Sequence, residues 1–213
     1  MSEAASEAGS PEPLDPEDVA RSNLYSLVSR LFYAPADPNI LTEISRGAAV
    51  EATDEEPNAL RTAWDSLRDA CRGAYPALVR QEYESLFVGV GKAEVTPYLS
   101  AYAQPSSPER YVVRLRDQLA VWGLRRREGV FEIEDHISGV SDVMRWLVET
   151  PQPLADQRFF FETYLYPGAA PFCAAVQSAA AAAFYRPVAA FALAFFELEK
   201  AALDMVDSEP RVG

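Results

Sequence analysis

Apolar positions along the chain recur at spacings of three and four residues. Leu24, Leu27, Val28 and Leu31 form one such set, and Leu60, Trp64, Leu67, Cys71 and Tyr75 a second. Val112, Leu115, Leu119 and Trp122 form a third, and Ile137, Val140, Met144 and Leu147 a fourth. Phe184, Val188, Phe191, Phe195, Leu198 and Ala202 make the longest. This period places each set on one face of a helix, the face that must be buried. Start signals agree with it. Asp15-Pro16-Glu17-Asp18 combines a capping side chain, a proline in the first turn and acids near the positive end of the helix; Ser107-Pro108-Glu109 repeats the pattern, and Asp37-Pro38 offers another. Gly123, the Thr150-Pro151-Gln152-Pro153 break and Tyr166-Pro167-Gly168 read as stops. Val130 to Ile133 alternates, but four residues are too few for a strand to outweigh the rest. The pattern predicts an all-α, single globular bundle of about eight or nine helices, with no internal repeat.

The segments outside this pattern divide the chain. Residues 1–15 are acidic and poor in apolar side chains, with no basic stretch followed by an apolar core, so they read as a disordered tail and not as a secretory signal. The helical domain is expected over 16–207, followed by a short tail at 208–213. Residues 89–106 carry two glycines and two prolines beside Tyr98, Leu99 and Tyr102. A loop of that length inside a helical domain points to a functional role. The alanines from Ala179 to Ala183 read as helix whose small side chains let a neighbour approach.

Composition narrows the classes of function. The formal net charge is −13 and mean hydropathy is −0.12. Such a surface repels nucleic acid phosphates and favours basic partners. The most apolar region, between Ala169 and Phe196, is broken by Gln177, Ser178, Arg186 and Pro187, so no integral membrane segment is expected. Cys71 and Cys173 both lie among apolar neighbours and read as buried free thiols, as a reducing cytoplasm would keep them.

Chemical motifs are sparse. Gly89-Val90-Gly91-Lys92 lacks the earlier glycine of a phosphate loop, where Leu86 stands, and the hydroxyl after the lysine, where Ala93 stands. Glu132, Glu134, Asp135 and the chain's one histidine, His136, gather three carboxylates beside an imidazole. A metal or acid–base site is one reading of them. The other makes Asp135 the N-cap of a helix beginning at His136. The sequence has no GxSxG and no legible Cys–His pair. No catalytic residue, cofactor or metal is therefore assigned, and the chain is not expected to be an enzyme.

Three blocks in order resemble the TorD/DmsD family of chaperones, to which the nitrate reductase assembly chaperones are related. The first is Tyr83-Glu84-Ser85-Leu86-Phe87 followed by Pro97-Tyr98-Leu99-Ser100-Ala101-Tyr102. The second is Glu132-Ile133-Glu134-Asp135-His136-Ile137 with Met144 and Leu147. The third is Phe161 to Leu165, Phe172, Phe184-Tyr185 and the helix of Phe191 and Phe195. Two positions depart from the family pattern: Ile133 stands where a proline is frequent, and Pro167-Gly168 where a Pro-Trp is expected. The resemblance implies a cytoplasmic chaperone with a TorD/DmsD-like fold. Its partner would be the catalytic subunit of a molybdopterin oxidoreductase, bound through a twin-arginine signal peptide or as the apoprotein until cofactor is inserted. It implies a peptide-binding wall of Tyr83, Phe87, Pro97, Tyr98, Ser100 and Tyr102, with Glu132, Asp135 and His136 as the polar edge. A monomer or a helix-swapped dimer, exchanging across Thr150–Pro153, are both compatible with it. The residues themselves leave two other classes open: an all-α adaptor without an export client, and a metal-assisted hydrolase built on Glu132–His136.

Overall fold

The computed structural model describes residues 14–47, 59–89, 93–124, 134–150 and 152–206. Where the capping signals occur, helices begin. Asp15 accepts the Asp18 N–H at 2.8 Å and opens α1 (Pro16–Tyr33). Asp37 accepts from Asn39 and Ile40 and opens α2 (Pro38–Arg46). These side chains satisfy donors that the first turn leaves unpaired. There follow α3 (Ala59–Arg72), α4 (Pro76–Tyr83) continuing into a π-helical turn (Glu84–Val88), the short α5 (Ser100–Ala103) and α6 (Pro108–Val121). The chain then forms α7 (Ile137–Glu149), α8 (Leu154–Phe160), a second π-helical turn (Phe161–Leu165), α9 (Tyr166–Ser178) and α10 (Tyr185–Val206). Because α8 and α9 run on through that second turn, the described residues form nine rods. An isolated antiparallel bridge pairs Tyr98 with His136. The fold is all-α, as the period of the apolar positions predicts.

Helix α10 packs on α3 and α9, α1 lies along α7, and α2 covers α3. Aromatic rings fill the centre. Phe32 of α1 meets Phe172 of α9 edge-on at 5.1 Å and Phe87 at 6.0 Å, and Tyr185 packs on Phe87 at 5.2 Å. Tyr25 and Phe195 join α1 to α10 at 4.7 Å. Such edge-to-face pairs place a ring's positive rim on a neighbour's negative face. Gly123 ends α6 in the left-handed region, φ +72°, where a side chain would clash with its own backbone.

Several expectations are corrected. Tyr166-Pro167-Gly168 is not a stop, because α9 begins there. Pro167 sits in the first turn of α9, a position where proline is tolerated. Gly168 serves close packing instead: a Cβ on it would lie 2.7 Å from both the Cβ and the carbonyl oxygen of Leu99. The alanine run is not helical, since α9 ends at Ser178 and α10 starts at Tyr185. Alanine's preference for helix is a fraction of a kcal/mol over most residues, and tertiary bonds outweigh it here. Glu94 accepts from Ala180 and Ala181, and Glu82 accepts from Ala183, Phe184 and Tyr185. Arg186 donates to the carbonyls of Gln177 and Ala179. Tyr75, read as the end of the second stripe, lies beyond α3 and is 72% exposed. The acidic tail up to residue 13, the alternating Val130–Ile133 and the tail at 208–213 lie outside the described residues.

Candidate functional site

Residues 93–99, which lead into α5, form a strap pinned at several points. Gly89, at φ +64°, turns the chain out of the π-helical turn. Farther along, the Val95 N–H donates to the Leu86 carbonyl at 2.9 Å. The strap then pairs with the residues that precede α7: Leu99 N–H donates to the Asp135 carbonyl at 2.9 Å, and Ile137 N–H donates to the Pro97 carbonyl at 3.0 Å. The bridge between Tyr98 and His136 lies between these two bonds, and their rings meet edge-on at 5.6 Å. At its end the strap becomes α5, whose first residue, Ser100, donates its N–H to Asp135 Oδ2 at 3.2 Å. The Tyr102 hydroxyl closes back on the Thr96 carbonyl at 3.0 Å, and burial pushes its pKa up to about 12.

Asp135 therefore holds the strap twice, with its carbonyl and with its carboxylate, and is 1% exposed. This corrects the expectation that it caps α7. The N-cap is His136, whose Nδ1 accepts from the Ser138 N–H at 3.2 Å and stands 2.6 Å from the Ser138 hydroxyl. A ring nitrogen that accepts a backbone N–H carries no proton itself, so the tautomer in this geometry bears hydrogen on Nε2. Next to it, Glu134 forms an ion pair with Arg116 of α6 at 2.9 Å.

The sequence-predicted residues divide into two groups. Pro97, Tyr98, Ser100, Asp135 and His136 come together at the bridge, with Tyr102 two residues into α5. Tyr98 and Tyr102 are half-buried, while the other four are buried. Tyr83 and Phe87 lie in the aromatic core. The Tyr83 hydroxyl donates to the carbonyls of Phe32 and Tyr33 at the end of α1, and the Phe87 ring sits among Phe32, Phe172, Tyr83 and Tyr185. Tyr102 joins the groups through its contact with Phe172 at 5.9 Å. Glu132 lies outside the described residues. Among the described residues, no cluster of three or more His, Cys, Asp or Glu side chains is placed to hold a metal ion.

Sequence reasoning missed Glu82 and Glu94, whose carboxylates gather five backbone N–H groups of residues 180–185. Their bonds span 86 to 103 residues, a separation that no local pattern reports. It also missed the tie between α6 and the second π-helical turn. There the Tyr111 hydroxyl donates to the Tyr164 carbonyl, and the Tyr164 hydroxyl donates to the Arg114 carbonyl. A π-helical turn shifts the backbone bonding by a residue and frees a carbonyl for such a bond.

Residues 53–174, more than half of the chain and containing both the strap and Asp135-His136, match the family described as nitrate reductase delta subunit. The chain belongs to that family. The nitrate reductase delta subunit family is a family of redox enzyme maturation chaperones and not a catalytic one, in keeping with the resemblance to TorD/DmsD proteins. The chain is also similar to a protein of Haemophilus influenzae whose name is given as uncharacterized protein, with 31% identity over 112 residues. That match covers 53% of this chain and 54% of the relative, so the chain spans about half the length of the curated relative it matches. No described helix is long and apolar enough to cross a membrane.

Proposed function

We propose that this member of the nitrate reductase delta subunit family is a cytoplasmic maturation chaperone without catalytic activity. Its client is the catalytic subunit of a molybdopterin-containing oxidoreductase. It binds the client's twin-arginine signal peptide or apoprotein and holds it until cofactor is inserted. The observation that carries this reading is the family match across the strap and the Asp135-His136 bridge.

The action is occupancy rather than bond making. A twin-arginine signal peptide has a basic end followed by an apolar stretch, and the net charge of −13 attracts the first. Tyr98 on the strap and Tyr102 on α5, both half-buried, offer surface to the second. Tyr83, Phe87, Pro97 and Ser100 act from beneath by holding that surface in place, and Asp135 and His136 fix the strap's register against α7. A peptide that becomes ordered on binding loses conformational entropy, so affinity is moderate and release easy.

The test is a pull-down from the native host with the full chain as bait, read by mass spectrometry. Recovery of a molybdopterin enzyme's catalytic subunit supports the proposal and names the client. Recovery of unrelated proteins alone, with the bait folded and abundant, overturns it.

A further inference from the structure

The segment joining α9 to α10 is held by two carboxylates, one on the strap and one on α4. Glu94 lies on the strap, four residues before Tyr98, and accepts from Ala180 N–H at 2.7 Å and Ala181 N–H at 3.3 Å. Glu82, on the last turn of α4, accepts from Ala183 at 2.9 Å, Phe184 at 2.9 Å and Tyr185 at 2.7 Å. Bonds from backbone N–H to an ionised carboxylate are about twice as strong as neutral ones. Glu82 also stands at the start of the 22-residue α10, where the helix dipole favours negative charge. The strap thus has an anchor at each end: Asp135 beyond Tyr98 and Glu94 before it. Between Glu94 and Tyr98, the Val95 N–H also ties the strap to the Leu86 carbonyl of the first π-helical turn.

We propose that Glu94, supported by Glu82, is a positioning residue for client recognition, a latch that sets Tyr98 and the strap by fastening them to the 180–185 segment. This rests on the reading of the strap as the client-binding surface. Glu94 touches no client in this account; it acts through the backbone it holds.

The experiment uses the full chain and a fluorescein-labelled synthetic peptide carrying two arginines followed by an apolar stretch, with affinity read by anisotropy. Amide hydrogen exchange is followed at residues 93–99 and 180–185, and the urea midpoint is measured for each variant. Glu94→Ala is expected to weaken peptide binding about tenfold, the equivalent of one lost charge-assisted bond. Exchange should rise together in both segments while the urea midpoint stays near that of the parent. Glu94→Gln keeps one acceptor oxygen and should fall between the two, and Glu84→Ala, on an exposed neighbour, should match the parent. Unchanged exchange in Glu94→Ala overturns the latch. Raised exchange with unchanged affinity overturns its role in recognition, as does a loss of affinity that only tracks a fall in the urea midpoint. If the parent protein binds no such peptide, the functional reading fails and takes the recognition role with it. The exchange data then still decide whether the two segments are coupled.

Discussion

Glu199 of α10 is 3% exposed and is the hub of a polar cluster that joins the two ends of the fold. Arg21 of α1 grips it with two bonds, Nε to Oε1 at 2.9 Å and Nη2 to Oε2 at 3.0 Å, and the Tyr25 hydroxyl donates to Oε2 at 2.8 Å. Arg21 extends the cluster to Asp18 at 2.7 Å and to Gln157 of α8 at 3.0 Å. Truncation by Glu199→Ala removes the common acceptor. Breaking a buried ion pair from one side costs about 3–5 kcal/mol. Arg21 keeps Asp18, Gln157 and 15% exposure of its side chain, which places its share low in that range. Tyr25 is fully buried, and an orphaned buried hydroxyl costs about 1–3 kcal/mol. The two losses overlap, and the expected total is about 3–4 kcal/mol. At a urea slope of about 2–3 kcal/mol per molar for a domain of this size, the midpoint falls by about 1–2 M. The assay is urea unfolding followed by the helical circular dichroism signal. A triple variant, Arg21→Met with Tyr25→Phe and Glu199→Leu, should be less destabilised than Glu199→Ala, because it leaves neither a buried charge nor a buried hydroxyl without its partner. A loss below about 1 kcal/mol for Glu199→Ala, with an Arg21–Glu199 coupling below about 0.5 kcal/mol in a double-mutant cycle, would refute the reasoning.

Three further outcomes follow from the packing. Gly168→Ala forces the Leu99 backbone away from α9; overpacking costs about 1–3 kcal/mol and exceeds the roughly 1 kcal/mol gained in helix propensity, so thermal unfolding should come earlier, and a stabilised variant would contradict the close approach. Tyr111→Phe leaves the Tyr164 carbonyl of the second π-helical turn without its donor and should cost about 1–2 kcal/mol in urea unfolding, whereas a neutral result would mean the turn does not depend on it. Burial pushes the Cys71 thiol up to about 11 and raises Cys173 further. Both should therefore resist alkylation in the native protein near pH 8 and react once it is unfolded. In the unfolded chain these thiols ionise near their ordinary value of about 9. The stability that the buried, protonated Cys71 contributes is thus present below that pH and lost as pH rises through about 11, and the share of Cys173 is lost at still higher pH. Rapid labelling of both thiols in the folded protein at pH 8 would contradict their burial.

Local chemistry made much of the architecture legible. The three-and-four spacing of apolar residues, the Asp-Pro caps at Asp15 and Asp37 and the left-handed Gly123 act within a turn or two of chain, so neighbouring residues suffice to read them. The same short reach explains the misreadings. Pro167-Gly168 carries the local marks of a stop, yet the helix restarts through it because a π-helical turn precedes it and the Leu99 backbone lies against it. The alanine run carries the local marks of a helix, yet its N–H groups are taken by two distant glutamates. At the site, the sequence by itself marked out the strap and the Asp135-His136 pair and joined them through the family resemblance. Only the tertiary structure decided what each does: Asp135 ties the strap and leaves the capping of α7 to His136, Tyr83 and Phe87 lie in the core, and Tyr98 and Tyr102 retain exposed surface. It alone brought Glu82 and Glu94 to the 180–185 backbone and Arg21 to Glu199, 178 residues apart. The physical reason is that helix period and capping are set by bonds along the chain, whereas burial and long-range partners depend on how the finished helices pack.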